Sequence, residues 1–184
     1  MVLHVDGRTI IVEQGDLTLN RADAIVNAAN STLMGGGGVD GAIHRAGGPT
    51  ILEECRRIVA EHGRLPAGKA VMTKGGNLPS RFVIHTVGPV WRGGRSNEAA
   101  VLASAYKESL AVAESNHLTS VAFPSISTGA YGYPVVDAAR VSITSVMYFL
   151  RTSAMTVRQV AFVLFDEGTF RVYERVGAEL ASEL

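Results

Sequence analysis

Two short apolar segments, Val2 to Val5 and Thr9 to Glu13, flank Asp6-Gly7-Arg8. An Asp-Gly pair in that setting predicts a β-hairpin, because the favoured tight turns need positive φ values that these residues tolerate. Gly15-Asp16-Leu17-Thr18 ends the second strand, and Ala24-Ile25-Val26 is then apolar at every position. A strand with one wet face alternates, so a continuous run predicts a strand buried on both faces. From Gly41 to His62 the period lengthens: Ile43, Ala46, Ile51, Cys55, Ile58 and Val59 fall near helical spacing, with Glu53, Glu54, Arg56 and Arg57 on the opposite side. Gly47-Gly48-Pro49 divides this run into two helices. His44 and His62 read as surface or cap residues.

Ala70 to Thr73 and Arg81 to Val87 read as strands separated by the polar turn Lys74-Gly75-Gly76-Asn77-Leu78-Pro79. His85 stands within the second, where a lone histidine is read as a hydrogen-bonded structural residue. Trp91 to Gly94 reads as an exposed loop, with Trp91 a packing residue. Asn97 to Asn116 is helical through Leu102, Tyr106, Leu110 and Ala113, and Ser120 to Phe123 is a brief buried strand. Pro134 suits the first position of the next helix, where its missing N–H is no loss, and Ala139, Ile143, Val146 or Met147 and Leu150 form that helix's buried face. Gln159 to Phe165 is the most apolar strand, and Phe170, Tyr173, Val176 and Leu180 mark a closing amphipathic helix.

Short buried strands alternating with helices predict an α/β domain with a largely parallel central sheet covered on both faces. The 184 residues are read as a single domain spanning 1–184, large enough to bury a sizeable core. Balanced charge, 17 Lys+Arg against 17 Asp+Glu, supplies no global field for nucleic acid or anionic lipid, so an anionic ligand has to be held locally. One cysteine, Cys55, and no Cys/His cluster at zinc spacing make a reducing cytoplasm and no metal the default. No basic-then-apolar leader and no run of about 18 apolar residues is present, so a soluble protein without membrane attachment is expected.

The candidate chemistry lies in two loops. Gly35 to Gly38 are four consecutive glycines between the strand at 24–26 and the helix that follows. Such a run lets backbone N–H groups turn toward one concave spot beside a helix N-terminus, an arrangement suited to phosphate. Asp40, followed by Gly41-Ala42-Ile43, stands where an N-cap belongs; its carboxylate caps the helix, meets a sugar hydroxyl, or does both. The second loop, Pro124 to Pro134, follows the strand at 120–123 and is again rich in glycine and hydroxyls. One such loop suits one phosphate group, and two facing loops suit a diphosphate. Asp16 is either a simple turn residue or an acceptor for an exocyclic amine.

Gly36-Gly37-Gly38-Val39-Asp40-Gly41 satisfies the letter of the G-x-G-x-x-G dinucleotide fingerprint. Its context fails: the first glycine does not directly follow the strand, and no second strand ends about 20 residues later. Gly63 to Ala70 falls one residue short of a P-loop and lies between a helix and a strand, the reverse of the required order. No G-x-S-x-G elbow occurs.

Asp23 to Asn30, the Gly35 to Gly41 loop with Ala42-Ile43-His44, and Ser127-Thr128-Gly129-Ala130-Tyr131-Gly132-Tyr133-Pro134 closely resemble the macro domain family, in particular its MacroD-type hydrolases. Gly15-Asp16-Leu17-Thr18 and His85-Thr86-Val87-Gly88-Pro89 match in the same order, so the resemblance spans nearly the whole chain. It implies a three-layer α/β/α sandwich around a mixed, largely parallel six-stranded sheet that binds ADP-ribose at the sheet's edge. By position, Asp16 and Leu17 would lie at the adenine, with Asp16 taking its amino group. Phe165 would stack on it, unless Phe165 is a core aromatic. Gly37, Gly38 and Val39 on one side, and Ser127, Thr128, Gly129, Ala130 and Tyr131 on the other, would wrap the diphosphate. Asn30 and Asp40 would meet the distal ribose as the catalytic pair. The implied activity is removal of ADP-ribose from acidic side chains of proteins, or of acetate from O-acetyl-ADP-ribose, without a cofactor and as a monomer. The alternative is a module that reads ADP-ribose without turning it over; binding-only members often lack the Asn/Asp pair, and both residues are present here.

Overall fold

The computed structural model describes residues 1–183. The hairpin forms as expected, with β1 (Val2–Val5) antiparallel to β2 (Arg8–Gln14). A 3₁₀ turn at Leu17–Leu19 leads to β3 (Ala24–Ala28). The long periodic run is two helices, α1 (Gly38–Gly47) and α2 (Pro49–His62), broken at Gly48. There follow β4 (Ala70–Lys74), β5 (Phe82–Thr86), α3 (Glu98–Ser115) and β6 (Ser120–Phe123). The chain closes with α4 (Val135–Thr152), β7 (Gln159–Leu164) and α5 (Glu167–Ser182). Among the described residues no helix is long and apolar enough to cross a membrane.

All seven strands join one sheet in the order β1-β2-β7-β6-β3-β5-β4, one strand more than the six expected. The outermost pairs, β1 with β2 and β4 with β5, are antiparallel, and β2, β7, β6, β3 and β5 run parallel. Alternation along the buried strands separates two cores. Ala24, Val26, Ile84, Val121, Phe123, Val160 and Phe162 face α3, α4 and α5, whereas Ile25, Val83, Ala122, Ala161 and Val163 face α1 and α2. A continuous apolar run is therefore two alternating sets, each burying side chains at about 1.5–3 kcal/mol apiece.

Two helix starts differ from expectation by a few residues. Asp40 is not the N-cap of α1; that place belongs to Gly37, and Asp40 lies buried in the first helical turn, 5% exposed as a residue. The glycine run itself bends into the helix, so the first turn begins earlier than the apolar periodicity. Pro134 is the residue before α4, at ψ 128°, rather than its first helical residue. Position 134 still supplies a preset φ and needs no N–H.

Candidate functional site

Because β2, β7, β6, β3 and β5 are parallel, their carboxyl ends share one edge of the sheet. Along that edge stand Asp16 after β2, Phe165 after β7, the Ser125–Pro134 loop after β6, the Asn30–Gly37 loop after β3, and Gly88-Pro89 after β5. The chain leaves β3 toward β5 and leaves β6 toward β7, in opposite directions from neighbouring strands. A crevice opens where connections diverge in this way, and ligands of open α/β sheets bind there.

The first loop is held by Asn30. Its Oδ1 accepts from Thr32 N at 3.1 Å and Thr32 Oγ1 at 2.6 Å, and its Nδ2 donates to Gly35 O at 3.0 Å. A Cβ placed on Gly36 would lie 3.2 Å from Asp40 Oδ2 and 3.5 Å from Asn30 Nδ2, so both predicted catalytic side chains flank one residue. Gly41 lets the loop lie against α1: a Cβ there would run into Gly36 O. Gly35 and Gly38 take positive φ, at 88° and 57°, while Gly36 and Gly37 do not. Val39 is half-buried against the α1/α2 core.

Asp40 Oδ1 accepts from Asn27 Nδ2 at 2.8 Å, and His44 Nε2, one helical turn on, stands 3.4 Å from the same oxygen. Asp40 Oδ2 takes no hydrogen bond from the described residues. Sequence reasoning gives Asn27 no role and reads His44 as a surface or cap residue, whereas the His44 side chain is only 15% exposed and faces Asp40 from within α1. The available signal for Asn27 is a buried amide at the end of an apolar strand; for His44 it is the i, i+4 spacing from Asp40, a separation that puts two side chains on one helix face.

The second loop carries Ser127 at φ 66°, with a buried Oγ that has no partner. Thr128 Oγ1 donates to Ser125 Oγ at 2.8 Å, and that hydroxyl meets Tyr173 OH of α5 at 3.0 Å. Backbone bonds from Tyr133 N to Ser127 O at 2.9 Å and from Gly132 N to Gly129 O at 3.0 Å close the loop, and Trp91 N donates to Tyr131 O at 2.8 Å. Trp91 packs on Tyr133 with ring centroids 4.6 Å apart, a packing role as expected. Gly88 admits the loop closely, since a Cβ at that position would overlap Ser127 Oγ. Gly129 and Ala130 are exposed and Tyr131 half-buried.

At the far end of the edge, Asp16 is exposed, and its Oδ1 accepts from Thr18 N at 2.9 Å and Thr18 Oγ1 at 2.6 Å. Leu17 buries its side chain in the α1/α2 core, leaving only its backbone for a ligand. Phe165 is 82% exposed, which overturns the core reading: β7 ends at Leu164, and the ring stands past the last buried position. Two recesses elsewhere, about 290 Å³ beneath Trp91 and Tyr133 and about 390 Å³ between Thr50 and Arg81, are lined by none of the predicted ligand residues.

Residues 26–142 match the Macro domain family. The chain is 54% identical over 174 residues to a Citrobacter koseri protein named O-acetyl-ADP-ribose deacetylase, covering 95% of this chain and 98% of that one. The Escherichia coli K12 protein of the same name is 51% identical over 174 residues, with the same coverage of 95% and 98%. Among solved structures, the Oceanobacillus iheyensis macrodomain with ADP superposes at a TM-score of 0.94 with 40% identity, covering 100% of this chain and 97% of that chain. The Trypanosoma brucei macrodomain in complex with ADP-ribose gives a TM-score of 0.81 at 40% identity, covering 90% of this chain and 68% of its own. With its two glycine loops on one carboxyl edge and similarity along almost its full length, the chain belongs to the macro domain family.

Proposed function

We propose that this protein binds ADP-ribose along the carboxyl edge and hydrolyses esters at its distal ribose, releasing acetate from O-acetyl-ADP-ribose or ADP-ribose from modified aspartate and glutamate side chains. The observation that carries the reading is a pair of glycines. Gly37 and Gly129 have no positive φ, and a Cβ on either would meet no protein atom within 4 Å. Neither backbone conformation nor packing requires glycine there, so the missing side chains leave room for something outside the protein. One lies in each loop, at the N-cap of α1 and within the Ser125–Pro134 loop, where backbone N–H groups suit a diphosphate.

In this reading the ligand lies along the sheet edge in the order of the strands. Asp16 accepts the adenine amino group through the carboxylate oxygen that Thr18 leaves free, Leu17 contributes its backbone, and the exposed Phe165 ring stacks on the base. Gly37, Gly38 and Val39 face Ser127, Thr128, Gly129, Ala130 and Tyr131 across the diphosphate. Asn30 and Asp40 meet the distal ribose. Water adds across the ester, the ribose oxygen takes a proton, and a carboxylic acid leaves. Fixing the diphosphate fixes the scissile bond, and Asp40 orients the attacking water; converting an encounter into a held geometry is the larger part of the acceleration. Relatives named O-acetyl-ADP-ribose deacetylase at 51–54% identity support this chemistry.

Incubation with O-acetyl-ADP-ribose and, separately, with a protein mono-ADP-ribosylated on acidic residues tests the proposal. Release of acetate or of ADP-ribose at a rate above a buffer control is expected. Tight ADP-ribose binding with no turnover of either substrate would instead make the protein a reader.

A further inference from the structure

Asp40 is the last link of a buried polar chain that crosses three strands. Asn27 on β3 and His85 on β5 are direct register partners, and Thr73 on β4 lies diagonally opposite His85, two positions from its partner Val71. All three side chains are almost wholly buried, at 0%, 0% and 3% exposure. Asn27 Nδ2 lies 3.1 Å from His85 Nδ1, and His85 Nε2 lies 2.9 Å from Thr73 Oγ1. Thr73 Oγ1 in turn donates to Lys74 O at 3.1 Å.

The direction of every bond follows from the charge at one end. An ionised carboxylate only accepts, so Asn27 must present its NH₂ group, not its carbonyl, to Asp40 Oδ1. The second hydrogen of that NH₂ then points at His85 Nδ1, which must be bare. The imidazole proton accordingly sits on Nε2 and is donated to Thr73 Oγ1, whose own hydrogen goes to Lys74 O. A charged imidazolium would set N–H against N–H at Asn27, and burial independently pushes the His85 pKa down to about 3. Cys55 Sγ, 3.9 Å from Nε2, offers only a weak alternative acceptor.

We propose that Thr73 and His85 are positioning residues for catalysis: through Asn27 they commit Asp40 Oδ1 to the protein interior and so present Oδ2, beside Asn30 and Gly36, as the oxygen that meets the substrate water. The inference rests on the hydrolase reading for its consequence but not for its geometry. A flipped Asn27 would oppose its carbonyl to Asp40 Oδ1, and the carboxylate would turn to escape the repulsion. Thr73 and His85 touch no ligand themselves, and the one ligand-facing group they move is Asp40 at the distal ribose, so turnover should fall far more than affinity.

Two measurements decide it. In a long-range ¹H–¹⁵N spectrum of the wild-type protein, His85 should be neutral with its proton on Nε2 throughout the neutral pH range; a proton on Nδ1, or a doubly protonated ring, overturns the proposal. Thr73→Val keeps the shape of the side chain and deletes the acceptor, whereas Thr73→Ser keeps the hydroxyl. Thr73→Val should lower kcat for O-acetyl-ADP-ribose by about tenfold, with the Kd for ADP-ribose within about twofold of wild type, and Thr73→Ser should restore the rate. Wild-type kcat in a folded Thr73→Val, or a fall in affinity matching the fall in rate, also overturns it. A wild-type protein that binds ADP-ribose without hydrolysis would end the hydrolase reading, and the histidine tautomer would then decide the chain alone, as it does should Thr73→Val not fold.

Discussion

At the residue scale, Asp40→Ala tests whether this carboxylate serves turnover as well as the fold. Its Oδ1 partners the buried Asn27 amide, so Asp40→Ala leaves one N–H of that NH₂ unpaired at about 1–3 kcal/mol while the other keeps His85 Nδ1, and it also forfeits a favourable charge in the first turn of α1. A domain of this size usually survives such a loss. Contacts to the adenine and the diphosphate are untouched. The variant should be folded, bind ADP-ribose within roughly tenfold of wild type (about 1.4 kcal/mol), and hydrolyse O-acetyl-ADP-ribose about 10²-fold more slowly or worse. Calorimetric titration and initial rates check the two halves; an unchanged rate would reduce Asp40 to a structural acidic group. Gly129→Glu addresses the other loop. Open space around Gly129 accommodates the new side chain without disturbing the fold, yet puts a negative charge where a diphosphate is to sit. Near-wild-type Tm with ADP-ribose binding abolished is expected, and near-normal affinity would remove this loop from the diphosphate.

The elements show which contacts hold the edge in place. Loop and helix are fitted together at Gly41, where alanine would gain roughly 1 kcal/mol of helix propensity but force its Cβ into the Gly36 carbonyl. Overpacking of this kind costs about 1–3 kcal/mol, so the clash wins. Gly41→Ala should therefore lower the Tm and weaken ADP-ribose binding together, because relief comes by lifting the glycine loop off α1; a variant more stable than wild type would contradict that fit. Far from the site, Glu114 at the end of α3 ties down the segment entering β7. Its carboxylate accepts from Met155 N, Thr156 N, Thr156 Oγ1 and Val157 N, at 2.9–3.1 Å. Burial raises its pKa, but these bonds outweigh burial and hold it below 4.5. The folded pKa thus lies under the unfolded one, and the stabilisation is present above 4.5 and lost as pH falls through the folded value. Glu114→Gln should cost about 1 kcal/mol at neutral pH, roughly 2–4 °C in Tm, and thermal melts of the two proteins should converge in acid. A constant gap at all pH values would refute the assignment.

For the whole molecule, a ligand that touches β2, β7, β6 and β3 ends at once bridges separate parts of the chain and binds only the folded state. ADP-ribose should therefore raise the Tm progressively with concentration, by an amount equivalent to about 2.7 kcal/mol at one hundred times Kd. Differential scanning fluorimetry suffices; no shift at millimolar ligand would sink the proposed site. The net charge of zero bears on the same scale. Attraction for the diphosphate has to come from loop N–H groups and the α1 dipole rather than from a long-range field. Its salt dependence should be shallow, unlike that of a protein relying on a basic face.

Periodicity along the chain determined most of the architecture, because burial imposes it residue by residue. Runs apolar at every position became the two-faced strands β3, β6 and β7, helical spacing became α1 to α5, and Gly47-Gly48-Pro49 became the break at Gly48. The two candidate loops were legible from local composition: glycines clustered between a buried strand and a helix stand out from their surroundings. What stayed hidden depends on neighbours that are distant in sequence. His85 reads as a lone structural histidine, Asn27 and Thr73 are assigned no role, and only the β3–β5–β4 register joins the three into one chain ending on Asp40. Apolar spacing starts the first helix after Asp40 and so makes Asp40 its cap, whereas the backbone of the glycine run is already helical at Gly38. Phe165 shared the composition of a buried strand, and its exposure follows only from β7 ending one residue earlier. Local composition records what a segment must bury; which polar atoms meet in the interior, and which side chain is left at the open edge, is decided by how strands from remote parts of the chain align.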